Sequence, residues 1–381
     1  MVSLPKFISF WKMRASFAEV GGPINYIGLT PGTVTDPMKG GVINPISVYP
    51  FPNFKAEQTK SYELGTNLRL FNNKINIDAT VYLTDTYNQT FLSSMSPASG
   101  YSGFYVQAGK VRNKGIELSL GYNDRFGKVG YATNLTYTAN RNKIMKMVHD
   151  YKNPSDGSLF SITELTLQDK GGVYLREKDA IGDVYVKGIL ARGKDGKLIE
   201  EEGGYKVDRS QRIKIGSVNP DFSIGWRHNV TWNNITLDLL FNGRFGGIVT
   251  SSTQAFLDDY GVSKDTYKAR QNGGVWVNGT QYDAEKYYTT IGGEQLMAYY
   301  AYKATNIRLQ EASLSYTLPG KWFGNVINRL TVSAIGRNLW MLYNKAPFDP
   351  EMTSSTGTYN RGDVFMPPSL RSVGFSVKIE L

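Results

Sequence analysis

The residues able to do chemistry are few in this chain of 381 residues, and their spacing says more than their number. His149 and His228 are the only histidines and sit in separate segments with no partner one helical turn away, so they form no metal-ligand pair. Cysteine is absent, which removes disulfides, thiolate ligands and thiol nucleophiles together. Asp258, Asp259 and Asp363 could contribute to a loop calcium site, but no twelve-residue ligand loop surrounds them, and we read them as solvated loop side chains. Glu117 and Asp238 are the best-placed carboxylates for paired acid-base work. Each belongs to the repeating polar side of an extended segment and not to a cleft, which argues against glycosidase chemistry. Arg361-Gly362-Asp363 spells an adhesive tripeptide in a Gly-rich segment, where it arises easily by chance. The loop aromatics Tyr101, Tyr105, Trp276, Tyr299, Tyr300 and Tyr343 are candidates for stacking on sugar rings or peptide side chains, with loop-against-loop packing as their other reading. The expectation is a protein that is no enzyme and carries no metal and no cofactor.

The elements that must position these groups are strands. In Gly109 to Asn140, Ile116, Leu118, Leu120 and Tyr122 share one face while Gly115, Glu117, Ser119 and Gly121 share the other, a period of two. After a polar break at 123–128 the alternation resumes with Val129, Tyr131, Thr133, Leu135 and Tyr137 on one side. Arms of roughly ten residues match a tilted strand crossing a bilayer better than the five or six of an ordinary sheet. No window approaches the roughly 18 apolar residues of a membrane helix, yet a barrel hides its lipid face in alternation, so the mean hydropathy of -0.33 does not argue for solubility. The 25 tyrosines and 40 glycines suit many strands joined by polar loops. The formal charge of +10 is scattered and forms no basic tract, so nucleic acid is not expected as a partner.

In chain order, strands are expected around Phe7 to Phe17, Tyr62 to Leu70, Ile75 to Leu83, the two arms of the hairpin, Phe222 to Trp232, Ile235 to Phe241, Ala312 to Leu318, Leu330 to Ala334 and Val373 to Leu381. Short turns near 72, 125, 233 and 322 alternate with long loops near 38, 97, 180, 275 and 355. A small hairpin of 184–190 with 198–202 is expected inside the third long loop. Short turns on one side and long loops on the other describe an outer-membrane barrel with its loops outside the cell. The fold class is therefore all-β: an antiparallel up-and-down transmembrane β-barrel, here a partial one of about ten membrane strands with long extracellular loops. Arg69, Asp78, Glu117, Arg227 and Asp238, opposite the apolar phase, are expected to face a wet lumen, where charge is cheap. Ile116, Leu118, Leu120, Val129, Tyr131, Leu135, Phe375 and Val377 should point outward, and Asn134 and Lys378 inward with Glu117 and Asp238.

Several blocks carry a resemblance: Arg14-Ala-Ser-Phe-Ala-Glu-Val-Gly21, Tyr62-Glu-Leu-Gly65, Val111-Arg-Asn-Lys-Gly-Ile-Glu-Leu118 after Gly100-Tyr101, Gly336-Arg-Asn-Leu-Trp340, Phe348-Asp-Pro-Glu351 and Pro368-Ser-Leu-Arg371. Together, in this order, they resemble the C-terminal barrel portion of SusC/RagA-type TonB-linked outer-membrane transporters. The resemblance implies a 22-stranded parent that imports oligosaccharides or peptides beneath a SusD-like lipoprotein lid and is energised by the TonB complex. On this reading residues 1–381 form a partial TonB-dependent receptor barrel domain in the cell outer membrane, in contact with its lipid. Signal peptide, plug domain, TonB box and the first half of the barrel are expected to be missing from it. The first and last strands then lack neighbours, and an open arc is expected over closure into a narrow ten-stranded barrel. The alternatives are a structural or adhesive outer-membrane barrel that displays its loops without transport, and a soluble sugar-binding sandwich or glycosidase.

Overall fold

Strict alternation over long segments produces long strands, because each one-residue slip would exchange the whole apolar set for the polar one. The computed structural model describes residues 5–23, 48–49, 55–94, 96–99, 101, 103–152, 157–167, 173–323, 327–353 and 362–380. Ten strands make one antiparallel sheet in chain order. They are β1 (Ile8–Gly21), β2 (Gln58–Leu70), β3 (Ile75–Tyr87), β4 (Lys110–Phe126), β5 (Val129–Lys146), β6 (Phe222–Trp232), β7 (Ile235–Phe245), β8 (Asn306–Pro319), β9 (Arg329–Asn344) and β10 (Ser372–Glu380). Among the described residues no ladder joins β1 to β10, so the sheet is an open arc, as expected. The expected turn of the early segment 21–54, and also Gly100, Arg361 and Leu381, lie mostly or wholly outside the described residues.

Turn chemistry sets the short edge. Phe71, Asn72 and Asn73 take left-handed backbone between β2 and β3, Asn233 does so between β6 and β7, and Gly127 (φ 60°) does so between β4 and β5. Asn tolerates that region and Gly enters it freely, so the two-residue turns at 127–128 and 233–234 and the four-residue turn at 71–74 close the hairpins. β4 runs straight through Asn123 to Phe126, and the break is narrower than the sequence suggests. The strands also outrun the apolar alternation at the loop edge: β3 continues to Tyr87 and β9 to Asn344.

Among the described residues nothing covers the apolar phase of the sheet. Met13, Leu64, Val81, Leu314, Phe375 and Val377 are all exposed, Phe375 by 82%, although ladder register places them on one face. The buried clusters lie elsewhere, at the loop edge. One joins Val111 of β4 and Ile144 of β5 to Phe91, Val106, Met147, Leu165, Leu167, Leu175 and Ile181 from the β3–β4 and β5–β6 connections. A second ties Leu190, Leu198 and Tyr205 to Ala255, Tyr282, Tyr287, Ile291, Leu296 and Tyr300 of the β7–β8 connection, and a small third joins Val249, Ala304 and Ala346.

Two loop expectations are corrected. The strand at Asp183–Leu190 pairs with Val207–Ser217, not with 198–202. The 198–202 segment instead forms a tighter reversal: Leu198 bridges Arg192 and Glu200–Glu201 pair with Gly204–Tyr205, while Leu198 is buried and its N–H donates to the Tyr282 hydroxyl at 3.0 Å. The β7–β8 connection folds into three helices, α1 (Ser252–Asp259), α2 (Lys264–Gln271) and α3 (Ala284–Gly293). Each starts at a capping side chain: Ser251, Ser263 and Asp283 accept from the backbone N–H three residues on. None of the described helices is long and apolar enough to cross a membrane, which says nothing about crossing by strands.

Candidate functional site

The sheet sorts its side chains into two chemically opposite faces. On the apolar face, aromatic pairs gather at both ends of the strands. At the loop end stand Phe17 with Tyr62 (5.0 Å between ring centroids), and Tyr137, Phe222 and Phe245 in a row at 5.4 and 4.6 Å. At the short-turn end stand Phe7 with Phe71 at 6.2 Å, Tyr122 with Tyr131 at 6.3 Å, and the exposed Trp232 and Trp322. From Phe222 to Trp232 the strand runs about 34 Å at ~3.4 Å per residue, which a tilt of about 40° reduces to about 26 Å. That equals the height of a barrel's apolar band, about 25 Å. Polar atoms on this face are paired locally. The Trp226 indole donates to Thr133 Oγ1 at 3.0 Å, and the Tyr131 hydroxyl meets His228 Nδ1 at 2.9 Å. His228 thus sits among Tyr131, Trp226 and Phe241, within the apolar phase.

Arg69, Asp78, Glu117, Arg227 and Asp238 all share the opposite face, as ladder register across β2–β7 requires. Two of them build the same device. Asn67 lies across from Asp78 and donates to it at 2.9 Å, while Arg14 on the next diagonal reaches its other oxygen at 2.5 Å. Asn229 lies across from Asp238 and donates at 3.3 Å, while Arg227 reaches it at 3.0 Å. A charged pair fixed by a cross-strand amide keeps both ions hydrogen-bonded without closing the face to water. Glu117 stands exposed, and Arg69 lies over the Phe10 ring at 5.4 Å. Gly115 on the same face accommodates Tyr82, whose hydroxyl would lie 2.5 Å from any added Cβ.

At the loop edge the sequence block Phe348-Asp-Pro-Glu351 folds back onto β8. Arg308, 4% exposed, donates to Asp349 at 2.8 and 3.2 Å, lies 3.4 Å from Glu351 and is steadied by Asn306 and Asn338. Burial alone would raise the Asp349 carboxyl, but hydrogen bonds from Arg308, Ser369 and the Glu351 backbone outweigh it and hold the group below its usual range. Asp363 is buried and accepts from Ser251 at 2.7 Å, locking the last connection onto the start of α1. Its carboxylate is thereby withdrawn from any adhesive use of the tripeptide at 361–363.

The loop aromatics divide. Trp276 is 62% exposed on the hairpin of Val275–Val277 with Thr280–Tyr282. Tyr300 is 1% exposed in the core of the loop assembly, and Tyr299 packs against that core with its hydroxyl accepting from the Leu190 N–H at 3.0 Å. Both hold loop to loop, so Tyr300 is no surface contact. Tyr343 is in β9, not in a loop, and register with Ile307 puts it on the apolar face near the loop-end aromatics. Tyr101 and Tyr105 are half-buried and engaged with neighbours in the β3–β4 connection. Sequence reasoning missed a cavity of about 310 Å³ among α1, α2 and α3, lined by Asp258, Asp259, Tyr260, Arg270, Glu285 and Tyr288 among others. The capping Ser, Ser and Asp spaced along 251–283 were the signal that could have found its helices.

An open antiparallel sheet of membrane-length strands, apolar with aromatic rims on one face, charged on the other and looped heavily at one edge, defines the barrel class of membrane protein. The chain belongs to the TonB dependent receptor-like, β-barrel family, whose profile matches residues 3–239. That family is a class of outer-membrane transporters and receptors, not a class of enzymes. Among curated relatives, TonB-dependent receptor P3 of Formosa agariphila is 24% identical over 373 residues, covering 90% of this chain and 36% of its own length. TonB-dependent receptor P39 of the same organism is 22% identical, covering 95% of this chain and 38% of its own length. The chain thus spans little more than a third of these relatives. In fold it is similar to the RagAB peptide transporter, with a TM-score of 0.70 at 18% identity over 99% of this chain and 41% of that one. The RagAB peptide importer in its "open-open" state gives 0.72 at the same identity.

Proposed function

We propose that this chain is the wall and loop assembly of an outer-membrane importer that moves an oligosaccharide or a peptide. Its long loops would lie outside the cell beneath a SusD-like lipoprotein, and the TonB complex would act through parts of the protein beyond these residues. The observation that carries the reading is the pair of opposed faces: an uncovered apolar band of bilayer height beside a face of fixed charge pairs suited to a water-filled lumen. On this reading Arg69, Asp78, Glu117, Arg227 and Asp238 face the lumen, and Trp276 is the loop aromatic best placed for a ligand or lid. Similarity in fold to a peptide importer supports import in general. Adhesive display through 361–363 is disfavoured by the burial of Asp363.

The test is uptake. Cells carrying the full-length gene, with or without an in-frame deletion of the β7–β8 connection, would be given fluorescent oligosaccharide and peptide mixtures. Loss of accumulation of one mixture, with unchanged attachment of cells to surfaces, supports import. Unchanged accumulation of both with loss of attachment would replace it with the adhesive reading.

A further inference from the structure

The β7–β8 connection encloses a second group of charged and polar side chains outside the sheet. Its cavity of about 310 Å³ lies among α1, α2 and α3, with Asp258, Asp259 and Glu285 as acids, Arg270 as its cation, the Tyr260 and Tyr288 rings, and the Thr266 and Thr289 hydroxyls. Two of the helices that flank it are in backbone contact. A Cβ on Gly292 would meet the Ala255 carbonyl at 2.5 Å, so α1 and α3 are as close as helices can come there. The cavity is thus preformed, at the small end of the volumes that hold ligand groups.

Charge in this cavity runs against the rest of the chain. The protein carries a formal +10, yet the lining holds three carboxylates against one guanidinium. Arg270 donates to the Gly261 carbonyl at 2.9 Å, and the neighbouring Lys286 pairs with Glu200 at 3.6 Å. Among the described residues no lysine or arginine pairs with Asp258, Asp259 or Glu285. Asp258 is the sharper case. It is 4% exposed and receives the Gln254 amide at 2.9 Å, but no cation faces it. A buried carboxyl without a counter-charge is expensive unless a cation arrives or a proton does. Burial accordingly pushes the Asp258 carboxyl up from its ordinary value, with the nearby Asp265 charge adding to it, against hydrogen bonds from Ser263, Gln254 and Tyr300.

We infer that this cavity binds an organic cation, an ammonium or guanidinium group of the kind that a basic peptide or an amino sugar presents. Asp259 and Glu285 at the mouth attract it, Asp258 at the back pairs with it, and the Tyr260 and Tyr288 rings offer their negative faces. This deepens the import reading by giving the cargo a chemistry, and rests on it only for why a nutrient would meet these loops.

The test is binding, which needs no transport, so a failure here is distinct from a failure of import. The full chain in detergent would be titrated calorimetrically with glycyl-lysyl-glycine blocked at both ends, with the same tripeptide acetylated at Nζ, with glucosamine, with N-acetylglucosamine and with calcium chloride. Saturable binding of the free amine with at least tenfold loss on acetylation is expected for one or both pairs, and the pair that shows it identifies the source of the cation. Asp259→Asn with Glu285→Gln, both at the mouth, should weaken binding about tenfold or more. Raising ionic strength from about 0.05 to about 0.5 M should weaken it too, since the screening length falls to about 4 Å. Equal binding of amine and acetylated forms overturns the inference. So does binding of calcium alone, which would make the cavity a metal site, and so does an unchanged affinity in the double variant whose helices remain folded by circular dichroism.

Discussion

Replacing Arg308 by Met should free the Phe348-Asp-Pro-Glu351 loop from β8 at neutral pH. Arg308 and Asp349 keep only 5% and 9% of their side-chain surface exposed and share two hydrogen bonds, at 2.8 and 3.2 Å. Removing the cation leaves the Asp349 carboxylate buried without a counter-charge, with only Ser369 and the Glu351 N–H to hold it, a change that costs about 3–5 kcal/mol. At roughly 1.4 kcal/mol per decade this is about a 10²–10⁴-fold rise in local opening. Amide hydrogen exchange of residues 345–353 in the detergent-solubilised chain reads that opening directly. The double variant Arg308→Met with Asp349→Leu removes both charges and should recover most of the protection, because a buried pair is worth little against well-packed apolar side chains. Asp349 also gives the sign with pH. Its proton is held less tightly in the folded state, so its stabilisation is complete above the ordinary value of 3.8 and is lost as pH falls through the lower folded value. Exchange that is unchanged in Arg308→Met, or a double variant as open as the single one, would refute this account of the loop.

The helical insertion should respond to pH in the opposite sense. Asp258 holds its proton more tightly when folded, so its stabilisation is full below 3.8 and is lost as pH rises through the higher folded value, and Asp258→Asn should abolish that slope in the exchange rates of α1. Leu314→Arg, on the apolar face, should destabilise the sheet by about 2–4 kcal/mol in lipid vesicles, whereas Glu117→Gln on the other face should be near neutral in the same urea titration. Gly115→Ala should cost about 1–3 kcal/mol, since the new Cβ would meet the Ala139 carbonyl at 2.4 Å, while Gly121→Ala meets nothing nearer than 3.5 Å and should leave the thermal midpoint unmoved.

The wall was readable from sequence because its physics is local and periodic. Alternation at 116–122 or 373–380 states which side chains share a face, and Asn or Gly at 72, 127 and 233 states where the chain reverses. What lay beyond reach was set by partners far away in the chain. The pattern at 184–202 suggests a hairpin, but the Leu198 N–H goes to Tyr282, and the strand at Asp183–Leu190 pairs with the polar segment Val207–Ser217. Tyr300 looked like a free loop ring and is the centre of a core assembled from two connections. Tyr343 reads as a loop residue because apolar alternation stops early in β9, where ladder hydrogen bonds continue without it. The charge pairs on the polar face were legible as residues but not as pairs, since Arg14 and Asp78 meet only across an intervening strand.

The central claim is that one face of this sheet meets lipid and the other meets water. These 381 residues hold no cysteine, so with any cysteine elsewhere in the full-length protein replaced, a single Cys introduced in turn at Ile116, Glu117, Asn134, Leu135, Phe375 and Lys378 gives a unique spin-label site each time. Collision rates with dissolved oxygen and with a water-soluble nickel chelate would be read for the full-length protein in lipid bilayers. The account predicts oxygen-dominated relaxation at 116, 135 and 375 and chelate-dominated relaxation at 117, 134 and 378. Equal accessibility at neighbouring positions, or apolar positions shielded from both reagents, would contradict it.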